Sequence, residues 1–440
     1  MKSNKEKVAL TTLGCKVNQY ESAALAEDLL QKGFSLVAFR SPADVYIINT
    51  CTVTASSDFQ ARQLIRRAKR ANPQAKIIVT GCYAQVAAAD IAALQGVNLV
   101  VGNGRKHTIP ALLQKSVINS NNTLSDDIFQ QKHFCEMPLA KFSERTRAFL
   151  KIQDGCNSFC SYCIVPFARG KSRSLPPESV LAAVTKFVQN GYREIVFTGI
   201  HLGVYGYDLN PPTNLTSVLH QTMNRCKNVR YRLSSIEPRE ITDELLHLLN
   251  KEDILCPHLH IPLQSGDDKI LQLMKRDYDS GFYRILINKI SAIVNDVAIG
   301  VDVMVGFPGE GDAEFNNTFQ LLQDLPVAYL HVFPYSERPG TAAQKLYPQV
   351  PEKIKKERAS IIRNLSSKKR EEFALRFLGK KLDVLVEKAK DKKTGLRKGF
   401  SNNYLPVLLE NDDSSVRGSI VKIYAEKYLD GKLYGKIVPG

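Results

Sequence analysis

Short apolar runs rich in β-branched residues alternate along the first third of the chain with stretches whose apolar positions recur at helical spacing. Residues 8–13 (VALTTL), 45–49 (VYIIN) and 76–80 (KIIVT) have the pattern of strands buried on both faces of a parallel sheet. Residues 21–32 and 56–71 read as helices between them. The second carries a basic face (Arg62, Arg66, Arg67, Lys69, Arg70) and is stopped by Asn72-Pro73. The stretch 114–143 lacks periodicity, is rich in Asn, Ser and Asp, and reads as a linker in which Cys135 has no assigned role. From residue 148 a longer alternation begins. Strands are expected at 148–153, 194–199, 229–235, 258–264, 298–307 and 328–333, with helices at 178–190, 243–249, 267–275, 282–295 and 312–324. Six β/α units make a partial barrel, two short of the eight that close a TIM-type barrel, and leave a lateral gap suited to a large substrate. A basic helix at 353–380 is followed by short strands at 382–388, 404–410, 418–428 and 432–438, the pattern of a small all-β barrel of oligonucleotide-binding type. The fold class is α/β: a parallel α/β domain (5–117), a linker (118–141), a partial (β/α)6 barrel (142–372) and a small all-β barrel (376–440).

Charge gives this outline a partner class. The 440 residues hold 60 Lys+Arg against 44 Asp+Glu, a net +16. Residues 351–440 alone hold 22 Lys+Arg and 12 Asp+Glu, which places +10 of the excess in the final stretch. A concentrated positive surface favours nucleic acid. Tyr404, Tyr424, Tyr428 and Tyr434 lie among those cations and suit base stacking, although any one of them is equally at home packing the small barrel. No apolar run resembles a signal peptide or reaches the roughly 20 residues of a membrane span, so a cytoplasmic protein with no membrane partner is expected. Thiols stay reduced there, and the 9 cysteines are then ligands or core residues rather than disulfides.

Three of those cysteines fall in GCNSFCSYC, as Cys156, Cys160 and Cys163, immediately after the first barrel strand. Structural zinc takes four protein ligands, usually in paired units, and the nearest following histidine is His201. Three thiolates at this spacing suit three corners of a cubane iron–sulfur cluster, with one iron left open. A second trio is more dispersed. Cys15, Cys51 and Cys82 each follow a predicted strand of the first domain, and the carboxyl ends of parallel strands form one ligand-binding rim. One such cysteine is commonly a packed thiol; three at equivalent ends argue for a second metal site, again one ligand short.

C-x3-C-x2-C after the first strand of a partial barrel resembles the radical S-adenosylmethionine superfamily. The whole arrangement is similar to the methylthiotransferases, with a final barrel of TRAM type. LGCKVNQYES (13–22), TGCYAQ (80–85), DGCNSFCSYCIVPFARGKSRS (154–174), TGIHLGVYG (198–206) and LSSIEP (233–238) resemble most the branch acting on N6-threonylcarbamoyladenosine beside the tRNA anticodon. The resemblance implies that Cys156, Cys160 and Cys163 hold a 4Fe-4S cluster whose open iron binds S-adenosylmethionine. It implies a second 4Fe-4S cluster on Cys15, Cys51 and Cys82. Around S-adenosylmethionine it points to Thr198 and Gly199 for the methionine amino group, to Ser234, Glu237 and Gln264 for ribose or carboxylate, and to Tyr162 as a cluster shield or adenine contact. The implied partners are the tRNA anticodon stem-loop, an electron donor and a sulfur donor. Arg169, Lys171 and Arg173 suit either substrate phosphate or a solvated loop, and His201, His258 and His260 read as structural. Three other readings stand beside this one: a tRNA isopentenyladenosine methylthiotransferase, a ribosomal-protein aspartate methylthiotransferase, which has no need of a basic final barrel, and a non-catalytic RNA-binding protein with structural metals.

Overall fold

The computed structural model describes residues 5–115, 122–142, 145–410 and 414–438. The first sheet contains β1 (Lys7–Thr12), β2 (Ser35–Val37), β3 (Val45–Thr50), β4 (Lys76–Gly81), β5 (Leu99–Val101) and β6 (Asn122–Leu124), all parallel in the order β2-β1-β3-β4-β5-β6. β3 is buried at every position because its side chains alternate between two cores. Val45 and Ile47 pack with Tyr20, Leu25 and Leu29 of the helix Lys16–Gln31. Tyr46 and Ile48 pack with Ala61, Ile65 and Ala68 of the helix Ala55–Ala71. The expected linker differs from this structure at β6, which completes the sheet. All three side chains of β6 are exposed at the sheet edge, so no apolar pattern announces it. Beyond it Met137, Leu139 and Phe142 are buried, and the Tyr20 hydroxyl donates to Met137 O at 2.9 Å. Residues 116–121 of that stretch lie outside the described residues.

All six expected barrel strands form, as β7 (Ala148–Lys151), β10 (Glu194–Thr198), β11 (Arg230–Leu233), β12 (His258–His260), β13 (Ala298–Val305) and β14 (Tyr329–Pro334), with a two-residue ribbon, β8 (Gln153–Asp154) and β9 (Arg173–Ser174), after the first. They make two parallel three-stranded sheets, β11-β10-β7 and β12-β13-β14, joined by bridges Tyr231↔Leu255 and Ser235↔His260. On β13, Ile299, Val301, Val303 and Val305 enter the helix-side core, so Gly300, Asp302 and Met304 face the lumen. A helix at Leu215–Arg225, capped by Asn214, was not anticipated.

The basic helix Glu352–Leu375 packs along β14, where Ser366 Oγ accepts from Leu330 N at 2.9 Å. It leads into a closed five-stranded barrel of β15 (Lys381–Lys390), β16 (Arg397–Ser401), β17 (Pro406–Leu409), β18 (Ile420–Leu429) and β19 (Lys432–Ile437), ordered β15-β16-β17-β19-β18. The four tyrosines divide: Tyr434 is buried, Tyr424 is exposed, Tyr428 is half-buried, and Tyr404 turns toward the larger barrel, its ring tilted against His258 at 4.7 Å between centroids. Among the described residues, no helix is long and apolar enough to cross a membrane.

Candidate functional site: two facing cysteine trios

Cys15, Cys51 and Cys82 stand just past the carboxyl ends of β1, β3 and β4, which are neighbours in the sheet, so the three thiols share one rim. Two glycines allow this close approach. Gly14 has φ +95°, and a Cβ there would lie 2.8 Å from Cys51 Cβ. Gly81 has φ +99°, and a Cβ there would lie 2.3 Å from Thr50 O. Asn18 Nδ2 then ties the β1 and β3 loops together by donating to Leu13 O at 2.8 Å and Thr50 O at 3.0 Å. Burial, with the charges of Cys82 and Cys15, pushes the Cys51 thiol up to about 11. Burial also raises Cys15, against the pull of Arg169. Cys15 is the exposed member of the trio, whereas Cys51 and Cys82 are buried.

Cys156, Cys160 and Cys163 lie on the loop between β8 and β9. Gly155, φ +76°, lets that loop turn beneath Lys171 O, which a Cβ would approach to 2.0 Å. The loop is fixed by Cys156 N donating to Gly170 O at 3.0 Å and Ser161 N to Met274 O at 3.0 Å. Each of two thiols has a cationic neighbour. His201 Nδ1 lies 3.3 Å from Cys156 Sγ, and Arg276 Nη1 donates to Cys160 Sγ at 3.2 Å while pairing with Glu237 through Nη2. Burial pushes Cys156 up, but the His201 contact and the Ser158 N–H outweigh it and leave the thiol below its ordinary value. Burial alone dominates at Cys163, raised to about 12. Phe159, between two of the cysteines, stacks on Phe129 at 6.3 Å and meets Phe167 edge-on at 6.0 Å, an aromatic cover over the loop.

The helix Val165–Arg169, which starts two residues after Cys163, packs on the helix Cys82–Val86, which opens at Cys82. Asn103 Nδ2 donates to Ala168 O at 2.7 Å and lies 3.8 Å from Cys82 Sγ. Arg169 is fully buried and donates to Glu21 Oε1 at 2.8 Å, Asp154 Oδ1 at 2.9 Å and Asn18 Oδ1 at 2.5 Å. Lys106 and Lys151 complete the pairing of Glu21, at 2.5 and 3.1 Å. The opposite barrel edge is tied by Arg338 Nη2, donating to Thr52 Oγ1 at 2.8 Å beside Cys51.

The sequence matches the family described as Uncharacterized protein family UPF0004 over residues 7–102 and the Radical SAM superfamily over residues 150–322. It is 42% identical to the threonylcarbamoyladenosine tRNA methylthiotransferase MtaB of Aquifex aeolicus, over 86% of this chain and 92% of that one. It is 40% identical to the protein of that name from Bacillus subtilis, over 94% of this chain and 93% of that one. The chain belongs to the MtaB-type radical SAM methylthiotransferases. The fold of the radical S-adenosylmethionine methyltransferase TsrM from Kitasatospora setae is similar, with a TM-score of 0.57 and 13% identity over 77% of each chain.

Enzymes of this MtaB-type family use S-adenosylmethionine and two iron–sulfur clusters, and the donor sets here fit them. Among the described residues, the one group of three His, Cys or carboxylate ligand atoms all within 4.8 Å of one another is His260, Asp302 and His331. Three thiolates in each trio match three cysteine-held corners of a cubane cluster and are one ligand short of a closed tetrahedral zinc site. The buried Ser234 Oγ and Gln264 Oε1 have no partner among the described residues, and Gln264 adopts φ +67°. Unsatisfied buried acceptors of this kind call for a polar ligand.

The remaining expected residues are placed as follows. Thr198 ends β10 buried, its carbonyl accepting from Ile152 N at 3.0 Å, and a Cβ on Gly199 would meet Gln153 Oε1 at 2.8 Å. Tyr162 packs against Ile270, Met304, Phe307 and Tyr335. Glu237 is held by Arg276. Arg169 and Arg173 are buried in contacts within the protein, so of the three cations read as phosphate contacts only Lys171 is exposed. His201, read as structural, is instead a thiol partner. Neither it nor Arg276 carries a local signal, since their cysteines lie 45 and 116 residues away.

Proposed function

We propose that this chain converts N6-threonylcarbamoyladenosine at position 37 of tRNA to its 2-methylthio derivative, with Cys156, Cys160 and Cys163 holding the radical cluster and Cys15, Cys51 and Cys82 the auxiliary one. The supporting observation is the packing of the helix that follows Cys163 on the helix that opens at Cys82, locked by the buried Arg169–Glu21 contact. When bound, the clusters and S-adenosylmethionine supply sulfur, its methylation and hydrogen abstraction from an unactivated carbon. The chain does the rest. His201 and Arg276 orient two of the sulfurs; the His201 contact favours the Cys156 thiolate, while Arg276 only partly offsets the burial that raises Cys160. Phe129, Phe159 and Phe167 pack on one another beside the cysteine loop. Thr198, Gly199, Ser234, Gln264 and Tyr162 line the space beside it for the cosubstrate. An electron donor, a sulfur donor and the anticodon stem-loop complete the reaction in the cytoplasm.

Mass spectrometry of tRNA nucleosides from cells lacking the chain should show loss of the 2-methylthio form and accumulation of its threonylcarbamoyl precursor. Loss of a methylthio-isopentenyl nucleoside instead would move the substrate to the other tRNA branch. Cys51→Ala should still yield 5′-deoxyadenosine yet form no methylthio product; product at the wild-type level would remove Cys51 from the auxiliary site.

A further inference from the structure

Alternate positions on three neighbouring strands of the large barrel hold His258 and His260 (β12), Gly300 and Asp302 (β13), and Tyr329 and His331 (β14). This spacing puts each pair on one face of its strand. The register His260↔Gly300, Gly300↔Tyr329 and Asp302↔His331 then sets the three pairs side by side on the lumen face. Gly300 is what lets them meet. A Cβ there would lie 2.2 Å from Tyr329 Cζ, so its absence admits the Tyr329 ring across β13. The Tyr329 hydroxyl stands 2.8 Å from His258 Nε2 and 3.4 Å from His260 Nδ1.

His260 turns its other nitrogen, Nε2, to Asp302 Oδ1 at 2.9 Å, and His331 Nδ1 approaches the same oxygen at 3.5 Å. The two imidazole rings lie 4.9 Å apart between centroids. Two nitrogens and one carboxylate oxygen thus converge, all within 4.8 Å of one another. Ligand atoms that share one ion at octahedral or tetrahedral angles stand about 2.9–3.5 Å apart, the spacing both nitrogens keep from Asp302. The contact of His260 Nδ1 with Tyr329 is the outer partner that keeps Nε2 turned to the metal side.

A triad kept only for packing is closed on every side, and this one is open. His260 is buried, Asp302 is partly accessible, and the His331 side chain is 58% exposed. β14 is the edge strand of its sheet, which gives His331 room to close on an ion. His331 also lines a cavity of about 280 Å³ between β14, the helix Glu352–Leu375 and the small barrel, with Tyr329, Arg370, Phe400 and Tyr404. That cavity is a way in for an ion and a space for further ligands.

We propose that His260, Asp302 and His331 form a site for one divalent transition-metal ion of the zinc or ferrous class, with its remaining coordination positions open to that cavity. Two imidazoles and a carboxylate suit these ions, whereas magnesium and calcium take oxygen ligands. The site contains no thiolate, so it draws on neither cysteine trio. On binding, the imidazole protons that face Asp302 leave to solvent, and the nitrogen lone pairs and the carboxylate become the donors. The ion keeps its oxidation state.

The test uses zinc. Enzyme with both clusters reconstituted is dialysed without oxygen against zinc chloride, and zinc, iron and acid-labile sulfide are measured in the same sample. Wild type should take up about one zinc per chain with iron and sulfide unchanged. His331→Ala and Asp302→Ala should bind zinc at least about tenfold more weakly. Zinc should also raise the melting temperature of wild type and leave that of His331→Ala where it was, because the ion binds only the folded site. His331 is exposed, so this comparison holds even where Asp302→Ala does not fold. No zinc taken up by wild type, zinc gained only as iron is lost, or full uptake by either variant overturns the site.

Discussion

Arg276 ties two parts of the site with one side chain. It donates to Cys160 Sγ at 3.2 Å and to the Tyr278 hydroxyl at 3.1 Å, and it pairs with Glu237, all while almost wholly buried. A guanidinium so placed sets the direction of the Cys160 sulfur and stabilises its thiolate, the role of outer partners at metal sites, whose removal typically costs about 10–100-fold. Arg276→Met should therefore lower 5′-deoxyadenosine formation by about tenfold. In a Cys51→Ala background, where only the radical cluster is counted, it should also reduce retained iron after reconstitution. Unchanged iron and unchanged cleavage would confine Arg276 to packing. The cysteines were legible because C-x3-C-x2-C is a local pattern. Arg276, His201 and the buried Arg169 were not, because what matters about each is a partner brought close only by the fold.

At the level of elements, β10 was evident as an apolar run, but the charge that begins it was silent. Glu194 has no exposed surface and accepts from Arg230 and Arg232. These arginines in turn donate to carbonyls of the small barrel, Arg230 to Phe400 O at 2.9 Å and Arg232 to Asn402 O at 2.8 Å. One carboxylate thus holds the two arginines that dock the small barrel on the large one. Burial pushes Glu194 up, but Arg232, Arg230 and Arg147 overcome it and hold the carboxyl well below the usual range. Glu194→Gln leaves buried guanidinium groups uncompensated and should destabilise the protein by about 3–5 kcal/mol at pH 7. A depressed folded-state pKa gives stability that is complete above the unfolded value of about 4.3 and is lost as pH falls below it. The gap between wild type and variant, read from denaturant midpoints, should be constant from pH 8 to 6 and shrink below pH 4.5. A gap that widens on acidification would contradict this assignment. The elements themselves were largely readable, since apolar periodicity marks buried strands. β6 escaped because edge pairing uses only its backbone.

For the whole molecule, the two basic regions have different standing once folded. In the helix Ala55–Ala71, Arg62 is consumed by the Tyr83 hydroxyl at 2.9 Å and Lys69 by Pro73 O at 2.5 Å, while Arg66, Arg67 and Arg70 remain exposed. That helix starts four residues after Cys51, so its free cations lie on the first domain. The basic helix Glu352–Leu375 similarly spends Lys355, Arg358 and Lys369 on internal contacts and keeps Lys353, Lys356 and Arg363 exposed. The charge of +10 in the final stretch therefore overstates its free cations, and the first domain supplies cations that composition had not singled out. An RNA that meets both sets of exposed cations would be gripped from both sides. Each phosphate contact contributes about 0.7–0.9 to the slope of log affinity against log salt concentration. Replacing Arg66, Arg67 and Arg70 together by Gln should lower the slope for tRNA by about 2, and so should replacing Lys353, Lys356 and Arg363. If only the second set changed the slope, the grip would belong to the carboxyl-terminal region alone. If neither did, the phosphates would be met elsewhere, and the excess charge would serve solubility.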